Sequence, residues 1–388
     1  MSQGQPMSEP RSPLDHALVI SRPSASHNHR APAGALAGLL ISLDPRFTPG
    51  RVVLIYDQSD ARYAQGVESL LSALNVEVIR WEISLDHIEA TTHKLALALS
   101  EWGAPLPLCI GSESVELTTL VSSVFLERRC PLLQTRGRSL YRLGARSVRT
   151  RLEPQIDLRS ALSHLGARVT EGWEGVWFEH HLRDLSHDLI DMAQESVEPL
   201  EVIQRLARET ASGSLFSPHI KGLEVAIPKF QEVLDHFERA GCLELTQGRL
   251  RFSSDRHRAY CSGGWLSLYI QDQLTAFRGR LEVHSALQDL HIELAYPNPL
   301  ETSVPLTVAM GDHLCFFFCV NSESDQLDHH LRSAEVLIKY FGASVLFTSV
   351  DTLPPAALER ARLIGVPVCI GDQLKDLSGW LSQVLGQD

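Results

Sequence analysis

Residues 311–321 read G-D-H-L-C-F-F-F-C-V-N. A Gly-Asp turn delivers an apolar strand of the kind that presents catalytic groups in α/β enzymes, yet neither a carboxylate nor a lysine lies on the strand itself. Around it the pattern is regular. The segment SGGWLSLYIQDQLTAF (262–277) is a Gly-Gly turn opening an amphipathic helix, followed by strand patterns at DLHIELAY (289–296) and SVPLTVAM (303–310). After the quoted strand come a helix at DHHLRSAEVLIKYFG (328–342), a strand at ASVLFTSV, a further helix and VPVCIG. Helix, three strands, helix and strand predict an α/β/α sandwich over residues 259–388.

Upstream, strand and helix patterns alternate through about residue 170. HALVISR (16–22), RVVLIYD (51–57), VEVIRWEI (76–83) and PLPLCIGS (105–112) are strands, with helices at 61–75, 93–102 and 114–128. A hairpin with a Thr135–Ser139 turn follows. This is an α/β, Rossmann-like domain spanning 14–170, behind a polar 1–13 lead expected to be disordered. It has neither G-x-G-x-x-G after the first strand nor Gly-Lys-Ser/Thr, so the dinucleotide and P-loop fingerprints are missing. The stretch 171–258 reads as a linker and then a winged-helix connector: helices at PLEVIQRLARE and IPKFQEVLDHFERAG, then the ribbon CLELTQGRLRF. Glu232, Asp235 and Glu238 on the second helix oppose a DNA-reading role.

A chain of 388 residues suits two or three domains, and 44% apolar with 21% charged residues is a soluble globular composition. No apolar run reaches the ~18 residues that a membrane span needs. The N-terminus lacks an apolar signal core, so a cytoplasmic location is expected. Seven scattered cysteines form no C-x-x-C pair, and the adjacent pairs His180–His181 and His329–His330 diverge in direction. Neither a metal site nor a cofactor is expected. The net charge of −12 is uneven: residues 128–151 hold eight arginines and no acid.

The order GGW-helix, three strands, helix and LERARLIGVPV resembles the C-terminal nuclease domain of the CRISPR-associated CARF-domain nucleases. With the α/β first domain and the connector, the resemblance covers essentially the whole chain. It implies a homodimeric first domain that senses cyclic oligoadenylate, and a last domain of the restriction-endonuclease-like, PD-(D/E)xK fold. Active members look like G-G-W-[LF]-E-E-Y, N-E-L-D and E-C-K, whose carboxylates hold Mg²⁺ or Mn²⁺ against the scissile phosphate. Here Ser267 and Leu268 stand where the helix glutamates would be. An ungapped overlay puts Val304 at the aspartate, Phe318 at the glutamate and Val320 at the lysine. The resemblance therefore implies an inactive nuclease fold. A relocated site would have to use Glu293 or Glu301.

The family's phosphate-binding turn, N-x-[TS]-x-G-x-[KR], overlies residues 109–115, where Glu113 and Val115 stand in place of the glycine and the cation, while Gly111, Ser112 and Ser114 are the candidate ligand contacts of this turn. Glu113 and Glu116 oppose a phosphate at that helix end, so cyclic oligoadenylate is expected to bind poorly. The loop after the first strand offers Ser24, Ser26, Asn28, His29 and Arg30 as an alternative ligand set, at the strand end where α/β sheets place ligands. Arg136, Arg138, Arg142, Arg146 and Arg149 form either a nucleic-acid face or a surface for acidic protein. The function expected is a scaffold or regulator in prokaryotic antiviral defence, paired with itself or a paralogue and acting on a defence-system protein or nucleic acid. The alternatives are a nucleotide sensor and a nuclease with a relocated site.

Overall fold

In the computed structural model, which describes residues 15–385 apart from 21–38, 48, 103–104, 112–113, 137–138, 144–148, 155–156, 175–179, 277–282, 295–298, 311–312, 321–325 and 342, the first third is a doubly wound sheet. Its strands β1 (His16–Ile20), β2 (Arg51–Asp57), β3 (Glu77–Ile83), β4 (Leu108–Gly111), β5 (Leu132–Arg136), β6 (Ser139–Leu143) and β7 (Arg149–Arg151) lie in the order β3-β2-β1-β4-β5-β6-β7. The first five are parallel, and β6 and β7 run antiparallel beyond them. Helices α1 (Ala61–Ala73), α2 (Ile88–Glu101) and α3 (Val115–Glu127) connect the parallel strands, as the alternating pattern predicts. Strand β1 is buried at every position because both faces of a parallel sheet are covered.

The expected boundary at residue 170 falls inside β8 (Arg168–Glu174), which pairs with β12 (Val283–Leu294) of the last third. With β13 (Leu300–Met310), β14 (His313–Cys319), β15 (Ser344–Ser349) and β16 (Val368–Ile370) it makes a six-stranded sheet ordered β16-β15-β14-β13-β12-β8. The chain thus contributes to the last sheet before entering the middle unit. Helix α4 (Leu158–His164) leads into β8, and its Leu158 and Leu162 join one buried cluster with Leu70 of α1 and Leu290 of β12. The first and last thirds therefore share a core.

The linker predicted between domains contains α5 (His180–Glu195), a long amphipathic helix burying Leu182, Leu185, Leu189 and Ile190. Its apolar spacing of three and four sits among His and Asp residues that obscure it. Then follow α6 (Glu198–Glu209), β9 (Phe216–His219), α7 (Phe230–Arg239), β10 (Leu243–Thr246) and β11 (Arg249–Phe252), the strands forming a small sheet ordered β10-β11-β9. Phe230, Val233, Leu234 and Phe237 of α7 face inward, a spacing of three and four that leaves Glu232 and Asp235 outside. The final helices are α8 (Trp265–Ala276), α9 (Leu327–Phe341), α10 (Pro355–Leu363) and α11 (Leu377–Leu385). One face of the last sheet packs with α8, α11, α5 and the middle unit through Leu189, Phe237, Trp265 and Phe317. The other packs with α9 and α10 through Phe316, Phe318, Leu337 and Phe347.

Candidate functional site

Two places merit attention. The first is the switch point of the N-terminal sheet, where strand order reverses between β1 and β4 and ligands of open α/β sheets bind. Ile20 pairs with Gly111, so the strand ends that precede the two loops singled out in the sequence lie side by side. Ser24, Ser26, Asn28, His29, Arg30 and Ser112 lie outside the described residues. Ser114 caps α3, its hydroxyl accepting from the Leu117 amide at 3.2 Å, and Glu116 follows in the first turn. Val115, at the position of the family cation, is 73% exposed and offers no charge to that opening.

The second place is a cavity of about 270 Å³ at the junction of the middle unit and the last sheet. Gln204 and Arg208 of α6 close one side, Gly263, Gly264 and Ser267 the base of α8 another, and Gln288, Asp289, Pro305, Cys319 and Val320 the sheet. Gln326 and His330 arrive from the start of α9. The Gly-Gly pair has a local cause. Gly263 sits at φ 130, in the region where side chains are strained, and a Cβ on Gly264 would lie 2.9 Å from the Ala259 carbonyl oxygen. The kink lets Trp265 bury completely while Ser267 turns its hydroxyl back to the Gly264 carbonyl at 2.8 Å.

Which side chains meet this cavity is set by a reversal of sidedness in two paired strands. Gln288 and Leu306 are partners on the α8 side, Gln288 donating to Gln271 of α8. Their neighbours two residues along, Leu290 and Val304, are also partners but pack in the opposite cluster. The reversal falls at Asp289, whose φ of 47 is left-handed, and at Pro305 between Val304 and Leu306. Asp289 and Pro305 consequently line the cavity.

The residues of the overlay fall in two different surroundings. Val304 and Phe318 are fully buried away from the cavity, with the Phe318 ring 5.6 Å from Phe347. The sheet residues that meet the cavity are Gln288, Asp289, Pro305, Cys319 and Val320, and Ser267 meets it from α8. Glu293 and Glu301 face each other across β12 and β13, further along the ladder from Asp289, and pair with Arg168 at 3.1 Å and His291 at 3.4 Å.

Electrostatics follow from burial. The Cys319 thiol accepts from the Thr348 hydroxyl at 3.6 Å and is pushed up to about 12, chiefly by burial. His330 is lowered to about 4 by burial and then by neighbouring His329, so its imidazole is neutral at physiological pH. Its Nδ1 is buried without a hydrogen-bond partner. Burial and then Glu171 raise the Asp289 carboxyl above its ordinary value. Among the described residues no three His, Cys, Asp or Glu side chains are grouped to hold a metal ion. Sequence reasoning passed over Asp289, Gln204 and Arg208, and weighed His330 only as half of an adjacent histidine pair. The only hint was the polar Gln288–Asp289 pair interrupting an apolar strand.

The arginine interval is described in part. Arg136 aligns with Ser139 and Arg151 in one row across β5, β6 and β7, and Arg149 aligns with Tyr141. Arg142 is exposed on β6, and Arg128 donates to the Ser100 hydroxyl at 2.8 Å. Arg138 and Arg146 lie outside the described residues.

With this geometry in place, the class is that of a three-part α/β chain: a doubly wound first sheet, a helical middle unit and a mixed second sheet. No family model and no curated protein sequence matches it. Solved structures do. Protein VC1899 from Vibrio cholerae superposes with a TM-score of 0.72 at 17% identity, covering 96% of this chain and 98% of that one. Can2 from Sulfobacillus thermosulfidooxidans, in complex with cyclic tetra-adenylate, gives 0.67 at 15% identity over 96% and 99%. A type III CRISPR defence DNA nuclease activated by cyclic oligoadenylate gives 0.50 at 14% over 92% of this chain and 48% of its own. At these identities the likeness is one of fold. No described helix is long and apolar enough to cross a membrane.

Proposed function

We propose that this chain is a non-catalytic protein of the CARF–nuclease architecture, with a sensor-type first domain, a winged-helix connector and a restriction-endonuclease-like last domain. It acts as a scaffold or regulator in prokaryotic antiviral defence of the CRISPR type, as a homodimer or as a heterodimer with a paralogue. The observation that carries this is the cavity at the base of α8, where Ser267, Pro305, Cys319 and Val320 occupy the corner that a nuclease would furnish with carboxylates and a lysine. A neutral thiol and an imidazole held neutral offer soft donors, and the single carboxylate of Asp289 cannot build a hard-oxygen site alone. The fold likeness to a type III CRISPR defence DNA nuclease, over 92% of this chain, supplies the biological setting. The test is incubation with DNA and RNA in Mg²⁺ or Mn²⁺, with and without cyclic oligoadenylates. No cleavage is expected, and metal-dependent cleavage by a homogeneous preparation would refute the reading.

A second reading, a nucleotide sensor signalling to a partner, is favoured by the crevice between β1 and β4 and by the cyclic tetra-adenylate held by the similar Can2. Val115 and Glu116 at the start of α3 weigh against tight binding of that ligand here. Calorimetry with cyclic tetra-adenylate decides: weak or absent binding is expected, and submicromolar affinity would establish the sensor instead.

A further inference from the structure

We propose that the cavity between α6 and the α8–β12–β14 corner binds a phosphate monoester of nucleotide size without a metal ion, the Arg208 guanidinium supplying the countercharge. The proposal rests on the reading that this corner does not hold a divalent cation.

The cavity is assembled from two units, since Arg208 and Gln204 come from the middle unit and the remaining walls from the last third. Among its described lining residues only Arg208 and Asp289 are of ordinarily charged types, because His330 is held neutral. A guanidinium presents a planar fork that matches two phosphate oxygens, and needs no metal to do so. The His330 Nδ1, buried with no partner, is a donor awaiting an acceptor in one of its two neutral tautomers. Asp289 is the one carboxylate of the lining, and burial and then Glu171 raise its proton affinity, which lessens its opposition to an anion.

Leu266, Pro305, Val320 and Val350 add apolar lining for a sugar or base. At about 270 Å³ the space lies just below the ~300–1,000 Å³ of ordinary small-molecule sites, and so admits a mononucleotide or one terminal residue of a strand, not a duplex.

The experiment is calorimetric titration of the full chain in EDTA with AMP, adenosine and inorganic phosphate. AMP is expected to bind at least tenfold more tightly than adenosine. Arg208→Ala should weaken AMP by about 10- to 100-fold, as loss of a charge-assisted pair does, while Arg208→Lys retains part of the affinity. Arg239→Ala, on the exposed side of α7, should change nothing. Thermal unfolding of each variant separates lost binding from lost folding, and Arg208 is exposed enough for its replacement to leave the core intact. A 5′-phosphorylated oligonucleotide, compared with its 5′-hydroxyl counterpart, tells a strand end from a free nucleotide; either phosphate-dependent result supports the site. No binding, equal binding of AMP and adenosine, an unchanged Arg208→Ala variant, or binding that requires Mn²⁺ would each overturn it. Failure of the non-catalytic reading shows separately, as strand cleavage.

Discussion

At the residue scale, Val304 and Phe318 are wholly enclosed and Val320 nearly so, and the first two lie on the face away from the cavity. Restoring the family residues by Val304→Asp, Phe318→Glu and Val320→Lys would place two charges inside the cluster beneath α9, not in the corner where a metal would bind. Uncompensated buried charge costs several kcal/mol. The triple variant is therefore expected to lose on the order of 5 kcal/mol or more and to gain no nuclease activity, as chemical denaturation and a cleavage assay would reveal. Retained stability with new Mn²⁺-dependent cleavage would refute both statements.

His330 gives a pH signature. Its folded pKa of about 4 lies below the ordinary 6.5, so between these values the unfolded chain binds more protons than the folded one. Its contribution is complete above pH 6.5 and is lost as pH falls toward 4, amounting to at most about 3 kcal/mol. Replacement by Phe should flatten the stability–pH curve in this window. An unchanged slope in denaturant melts from pH 4 to 7 would remove His330 from the account.

At the scale of elements, period and turn chemistry made most of the fold legible. The β1–β4 strands, the β5–β6 hairpin and the LCFFFC strand all form where the sequence places them. What could not be read was long-range. β8 looks like the end of the first domain because it follows α4 directly, but its hydrogen bonds go to β12, more than a hundred residues away. The reversal at Asp289 and Pro305 was equally hidden, because an ungapped overlay assumes that sidedness alternates without interruption. The Gly-Gly turn was recognised, and its reason is now explicit. Gly264→Ala would force a Cβ against the Ala259 carbonyl at the join between two helical segments. It is expected to cost about 1–3 kcal/mol, as overpacking typically does. Equilibrium unfolding measures this, and a neutral result would mean that the helix base relaxes freely.

At the scale of the whole molecule, the arginine interval decides whether the scaffold touches nucleic acid or protein. Arg136, Arg142, Arg149 and Arg151 lie on β5, β6 and β7 at one edge of the first sheet, in a chain whose net charge is −12. A phosphate backbone approaching that edge must do so against the field of the rest of the molecule, whereas an acidic protein surface can cover the edge with short, desolvated pairs. The expected outcome is that 5′-hydroxyl single strands and duplexes do not bind even at low salt. Arg136→Ala/Arg138→Ala/Arg142→Ala should instead weaken dimerisation or capture of the partner, seen by analytical ultracentrifugation. The opposite result has its own signature. A phosphate-binding face gives affinity falling steeply with salt, and each arginine removed flattens the slope by about one counterion. Because the probes carry no terminal phosphate, binding in the Arg208 cavity cannot imitate it. Salt-steep binding abolished by the triple variant with the oligomer intact would assign this edge to nucleic acid.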